Sequence, residues 1–268
     1  MALPLFPPTE DPGPDFSSLL RGSGLPAVPA AADVALSVRH ATTVAALRFA
    51  DGIVMAGDRR ATEGHTIAHR AMEKVFPADR LSAVAIAGAA GFAVEMVRLF
   101  QTQLEHYEKV EGVTLSLEGK ANQLAQMVRQ QLPLAMQGLA VVPLFAGYDT
   151  GKGAGRIFSY DVTGGHYEEA DYQATGSGGR DARTTLKLGF REGLSRAEAV
   201  ELAIQALYEA ADEDSGTGGP DVVRGIYPTV AVVTAQGYAE VPEEEVAGRF
   251  KALIDRKRTE RDVTRSAT

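Results

Sequence analysis

The sequence predicts an α+β fold in which helix layers pack outside antiparallel sheets. Three observations lead there. Strand-like runs come in groups, and each of the first two groups is followed by two helical stretches. The first group opens on a hairpin signal, Asp51-Gly52 between two apolar runs. No internal repeat is evident that would point to a solenoid or propeller.

Taken in order, residues 43–49 and 53–56 read as the two strands of that hairpin, and 65–69 and 81–86 as further strands. A helix is predicted over 91–107, where Val94, Val97, Phe100, Leu104 and Tyr107 recur at helical spacing. A second is predicted over 115–136, with Pro133 kinking it or ending its regular part. Strands are then expected at 141–148, 156–160 and 172–174, and helices at 181–190 and 196–211. Strands at 229–234 and 238–241 follow, then a short helix near 243–254. The last stretch, 256–268, alternates charges with few apolar residues and reads as a solvated, partly disordered tail. The apolar stripes of the helices read as core.

Residues 1–41 hold 7 of the 13 prolines and little periodic pattern. Such a stretch does not easily build a packed core and reads as a flexible extension. The abrupt start of patterned sequence at Thr42 favours a propeptide removed before that residue over a plain tail. Early prolines and acids, with no basic residue before Arg21, do not fit a secretory signal. A cytoplasmic protein is expected.

Composition narrows the chemistry. The chain has 268 residues, 45% hydrophobic and 23% charged, enough for a sizeable core. A net charge of −8 argues against a nucleic-acid binder. Cysteine is absent, which excludes disulfides and thiolate nucleophiles. The longest small-apolar run, residues 83–94, is too short to span a bilayer. The histidines are scattered without a metal pattern, and Gly216-Thr217-Gly218-Gly219 lacks the lysine of a phosphate loop. No metal site and no cofactor are expected.

What remains is a threonine pair, Thr42-Thr43, followed by Asp58 in Gly57-Asp58-Arg59-Arg60 and Lys74 in Glu73-Lys74-Val75. A threonine freed at a new N-terminus carries a hydroxyl nucleophile and an amine base on one residue. A nearby aspartate and lysine would hold and tune that pair. Taken alone, the threonines would be ordinary β-branched strand residues, Asp58 a turn residue and Lys74 a surface lysine.

The wider set of segments changes that balance. His40-Ala41-Thr42-Thr43, Gly57-Asp58-Arg59-Arg60, Glu73-Lys74-Val75, Ile86-Ala87-Gly88, residues 104–109, Ala135-Met136-Gln137-Gly138, Gly176-Ser177-Gly178 and Gly218-Gly219-Pro220-Asp221 occur in one order. Together they resemble the β subunits of 20S proteasomes, most closely the actinobacterial type, over residues 38–250.

The resemblance implies the four-layer αββα sandwich of N-terminal nucleophile hydrolases and a catalytic domain over 42–255. Thr42 would be the nucleophile after cleavage of the Ala41–Thr42 bond. Its own α-amine, with a pKa of roughly 7.7–8.0 in model peptides, would take part in proton transfer. Lys74 would favour the deprotonated hydroxyl and Asp58 would fix Lys74. The Gly88 backbone N–H would form the oxyanion hole. Ser177, Asp212 and Ser215 would support the nucleophile and its amine. Ala61, Met72, Ile86, Ala90 and Val94 would line the pocket for the residue before the cleaved bond, and mostly apolar walls favour apolar or aromatic side chains there. Thr62 and Ala90 would offer backbone groups to an extended substrate.

Seven-membered β rings, stacked back to back and capped by rings of α subunits, are implied as well. So is a regulatory ATPase ring delivering substrates tagged with a small ubiquitin-like protein, Pup. Two departures stand out. Ala41 replaces the usual glycine before the nucleophile, where alanine at positive φ costs roughly 1–2 kcal/mol. Arg180 follows Gly178-Gly179 in a loop expected near the site, where relatives carry a smaller residue. A noncatalytic ring subunit and a simpler two-ring bacterial threonine protease are the alternative readings.

Overall fold

A computed structural model describes residues 42–64 and 66–266. The expected propeptide, including Ala41, lies outside the described residues. Two five-stranded antiparallel sheets form the centre. The first runs in the order β10 (Tyr172–Gly176), β1 (Thr43–Phe49), β2 (Gly52–Gly57), β11 (Thr229–Thr234), β12 (Gly237–Glu240). The second runs β5 (Val75–Asp79), β6 (Ser82–Gly88), β7 (Val141–Asp149), β8 (Ala154–Tyr160), β9 (His166–Glu169). A small hairpin, β3 (Ala61–Glu63) with β4 (Thr66–His69), stands apart from both.

Side-chain alternation along β1 shows how the sheets are covered. Val44 and Ala46 join Ile53, Met55, Ala231 and Val233 against Ala83, Ala85, Leu144, Ala146 and Ile157 of the second sheet. Ala45, Leu47 and Phe49 face the other way, into a core with three helices: α4 (Gly179–Gly189), α5 (Arg196–Glu213) and α6 (Glu243–Ser266). On the far side of the second sheet, Val84, Ile86, Phe145 and Phe158 pack against α1 (Ala90–Glu111) and α2 (Leu117–Gln130). Because β1 and β2 are buried on both faces, their residues read as continuous apolar runs.

Several elements differ from the sequence expectation. The helix expected over 115–136 is two helices, α2 and the single turn α3 (Leu132–Ala135). Pro133 stands in the first turn of α3, where its missing N–H is tolerated; inside one continuous helix it would have left a carbonyl unmatched. The expected tail from Arg256 is instead the last part of α6. Few apolar residues mark it because ion pairs with α5 hold it: Arg256 meets Glu201 at 2.6 Å and Lys257 meets Glu209 at 2.5 Å. Strands β3, β5 and β9 were not expected. Pro77 obscures β5, an edge strand with a register irregularity beside that proline, which is where sheets accept one.

Candidate active site

Pairing of β1 with β2 sets Thr43 beside Asp58. The Asp58 N–H donates to the Thr43 carbonyl at 3.1 Å, and the Thr43 N–H returns to Asp58 Oδ1 at 2.8 Å. Lys74 precedes β5 and enters from the second sheet. Its Nζ donates to Asp58 Oδ1 at 2.6 Å and to the Arg60 carbonyl at 2.5 Å. Asp58 Oδ2 accepts from the N–H groups of Arg60 at 2.9 Å and Gly218 at 2.8 Å. Both charged side chains are closed off from solvent, Lys74 at 1% and Asp58 at 0% exposure. Burial pushes the Lys74 pKa below its usual lysine range; Asp58 pulls it up without cancelling that, and Arg60 adds to the fall.

Thr42 lines one cleft with Ala61, Thr62, Met72, Lys74, Ile86, Ala87, Gly88, Ala90 and Ala93. Of the residues expected to bind substrate, Ala61, Thr62, Met72, Ile86 and Ala90 are therefore gathered at Thr42. Val94 is not among them; it packs half-buried against the core under α1, one residue past Ala93, which does face the cleft. Helical rotation between adjacent positions explains the difference. Gly88 ends β6 at φ +113°, and a Cβ there would lie 2.1 Å from the Ala140 carbonyl oxygen. That position requires glycine on backbone grounds alone.

A second network holds the other side of Thr42. The Ser177 N–H donates to the Thr42 carbonyl at 2.8 Å, and the Thr42 N–H donates to Ser177 Oγ at 3.2 Å. Ser177 Oγ lies 2.5 Å from Asp214 Oδ2, which also accepts from Thr217 Oγ1 at 2.6 Å. Thr217 Oγ1 is in turn 2.6 Å from Thr43 Oγ1. Burial pushes the Asp214 carboxyl up, but hydrogen bonds from Ser177, Thr217 and the backbone outweigh it and hold the group below its usual range.

The carboxylate of this network is therefore Asp214, not Asp212. Asp212 is exposed near the end of α5, whereas Asp214 is the first residue beyond that helix. Ser215 contributes its carbonyl, which accepts from Arg60 Nη1 at 3.0 Å, while the buried hydroxyl here is that of Thr217. The Gly218 N–H, tied to Asp58 at 2.8 Å, fixes the end of this segment against the Lys74 pair. Arg180 also departs from expectation. It lies in the first turn of α4 and lines a groove with Tyr172, Ala174 and Lys187, not the Thr42 cleft.

Among the described residues, no helix is long and apolar enough to cross a membrane. A family model described as "Proteasome subunit" matches residues 38–224. The chain is 66% identical over 252 residues to proteasome subunit beta of Acidimicrobium ferrooxidans, covering 92% of each chain. It is 56% identical over 233 residues to proteasome subunit beta of Streptomyces griseus, covering 87% of this chain and 83% of that one. Both relatives are actinobacterial.

Proposed function

Because the chain belongs to the proteasome subunit family, we propose that it is a catalytic β subunit, a threonine endopeptidase whose nucleophile is Thr42. One observation carries this reading: Thr42 shares a cleft with a lysine that is buried, paired with Asp58 and pushed down in pKa. A ring member without catalysis has no use for a buried ion pair at that place, because two desolvated charges are weak contributors to stability. The three apolar cores, helix–sheet, sheet–sheet and sheet–helix, support the four-layer αββα sandwich of N-terminal nucleophile hydrolases.

In the uncleaved chain the Thr42 nitrogen is a peptide N–H, so it is no base. Cleavage of the Ala41–Thr42 bond converts it to an amine that accepts the proton of Thr42 Oγ as that oxygen attacks a peptide carbonyl. Lys74 favours the developing alkoxide by its charge, and Asp58 holds Lys74 in place. The N–H of Gly88 is the donor for the tetrahedral oxyanion. The tetrahedral intermediate collapses as the α-ammonium returns that proton to the departing amine half of the substrate, leaving an ester on Thr42. Water, giving a proton to the same amine, then hydrolyses the ester, and Thr42 Oγ regains its proton.

Such a site reads little of its substrate beyond the cleft walls, so selection falls to assembly. Seven-membered β rings between rings of α subunits, fed by an ATPase ring with Pup-tagged proteins in the cytoplasm, complete the proposal. The test is Thr42→Ala in particles assembled with α subunits. Intact mass should show residues 1–41 retained, and peptide hydrolysis should be lost. Wild-type turnover by that variant would remove Thr42 from the role, and a leader that persists on assembled wild-type chains would favour a noncatalytic subunit.

A further inference from the structure

The hydroxyl of Thr43 has no part in the chemistry above, yet it is fully buried and its bonds lead to the Thr42 nitrogen. We infer that Thr43 is a positioning residue, whose side chain acts through Thr217, Asp214 and Ser177 to orient the amine of Thr42. The inference rests on the proposed role of Thr42 and deepens it.

Counting protons fixes the direction of each bond. Ser177 Oγ has one proton and two acceptors in reach, Asp214 Oδ2 at 2.5 Å and the Thr42 carbonyl at 3.4 Å. The shorter, charge-assisted bond takes it. Ser177 Oγ then meets the Thr42 nitrogen only as an acceptor, at 3.2 Å. After cleavage the amine donates a hydrogen bond to Ser177 through one N–H, which directs its lone pair toward the Thr42 hydroxyl.

The same logic runs along the other branch. Thr217 Oγ1 spends its proton on Asp214 Oδ2 at 2.6 Å, so the 2.6 Å contact with Thr43 Oγ1 has Thr43 as donor. Thr43 Oγ1 in turn accepts from the Gly178 N–H at 3.0 Å. The protons therefore run in one sense, from Gly178 through Thr43 and Thr217 to the carboxylate.

No room is left for a substitute. Thr43 and Thr217 are both 0% exposed, and a Cβ built on Gly178 would come within 2.6 Å of both hydroxyl oxygens. Without the Thr43 oxygen, Gly178 loses its acceptor and Thr217 loses its donor. Thr217 Oγ1 also stands against Gly178, and its bond to Asp214 weakens if it turns toward the freed N–H. Chains of hydrogen bonds polarise one another, so a loss at one end is felt at the other. The Thr43 main chain, meanwhile, stays on Asp58 Oδ1, which keeps the lysine pair intact.

Thr43→Val and Thr43→Ser, made in the full chain and assembled with α subunits, test this. Valine keeps the shape without the oxygen; serine keeps the oxygen. Thr43→Ser should hold kcat within about twofold of wild type, while Thr43→Val should lower it about tenfold or more with KM little changed. Thr217→Val should give the same loss, and the double variant should lose no more than either alone, since all three break one line. Full kcat in assembled Thr43→Val particles, or losses that multiply in the double variant, would overturn the inference. Should Thr43→Val fail to assemble, Thr217→Val decides by the same criterion. Thr42→Ala in the same assay separates the two levels: if it still turns over peptide, the nucleophile assignment fails instead.

Discussion

At the scale of single residues, the backbone shares in holding both carboxylates of the site. Asp58 accepts from three backbone N–H groups, those of Thr43, Arg60 and Gly218, besides Lys74. Replacing Lys74 with alanine thus leaves a carboxylate that still has partners, although its counter-charge is gone. We expect Lys74→Ala to assemble and to lose at least about a hundredfold in peptide hydrolysis, the range of general acid–base and charge effects. A near-normal rate in assembled particles would refute a catalytic role. Asp214 makes a pH prediction. Its folded pKa lies below the ordinary 3.8, so it stabilises the fold above that value and the contribution is lost as pH falls through the depressed one. Asp214→Asn should flatten the acid side of the stability curve; an unchanged acid limb in thermal melts would contradict this.

At the scale of elements, the last helix carries a separate prediction. Residues beyond Ile254 are held to α5 by exposed or half-exposed ion pairs, with Lys257 also 5.1 Å over the Tyr208 ring. Pairs of this kind contribute about 0.2–1 kcal/mol each. Truncation after Ile254 should therefore lower the melting temperature by only a few degrees, more at low salt than at high, and leave peptide hydrolysis intact. A collapse of the fold would show that this segment holds apolar core. The same segment shows where sequence reading ran out. Helices with an apolar stripe were legible because burial imposes a period. Although its two-residue loop is Ala50-Asp51 and Gly52 already pairs with Phe49 as the first residue of β2, the first hairpin was legible from its turn residues. The end of α6 was not, since its anchors are charges whose partners lie on another helix. At the candidate site, the ordered set of segments marked Thr42, Asp58, Lys74 and Gly88, and the structure brings these four residues together. Asp214 and Thr217 were missed because a helix end sets their register, and helix ends are poorly marked when no Gly or Pro closes them.

At the scale of the whole molecule, the proposed function requires catalysis and assembly to be coupled, because a threonine protease with apolar cleft walls would attack unfolded chains wherever it met them. The uncleaved chain lacks a free amine at Thr42, and in that state the nitrogen is a peptide donor, to Ser177 at 3.2 Å. On the proposed function, a leader ending at the Ala41–Thr42 bond also stands in for a substrate whose cut has yet to be made. Two independent requirements for turnover are then missing at once. Isolated subunits should retain residues 1–41 and hydrolyse no peptide, and mixing with matching α subunits should bring leader loss and activity together in time. Mass spectrometry and a fluorogenic peptide assay on the same samples follow both. Ala41, with a side chain where a sharp turn is needed, should slow the cut, so Ala41→Gly should shorten the lag without changing the final rate. Full activity in monomers that still carry the leader would break the coupling, because the hydroxyl would then be acting without its own amine.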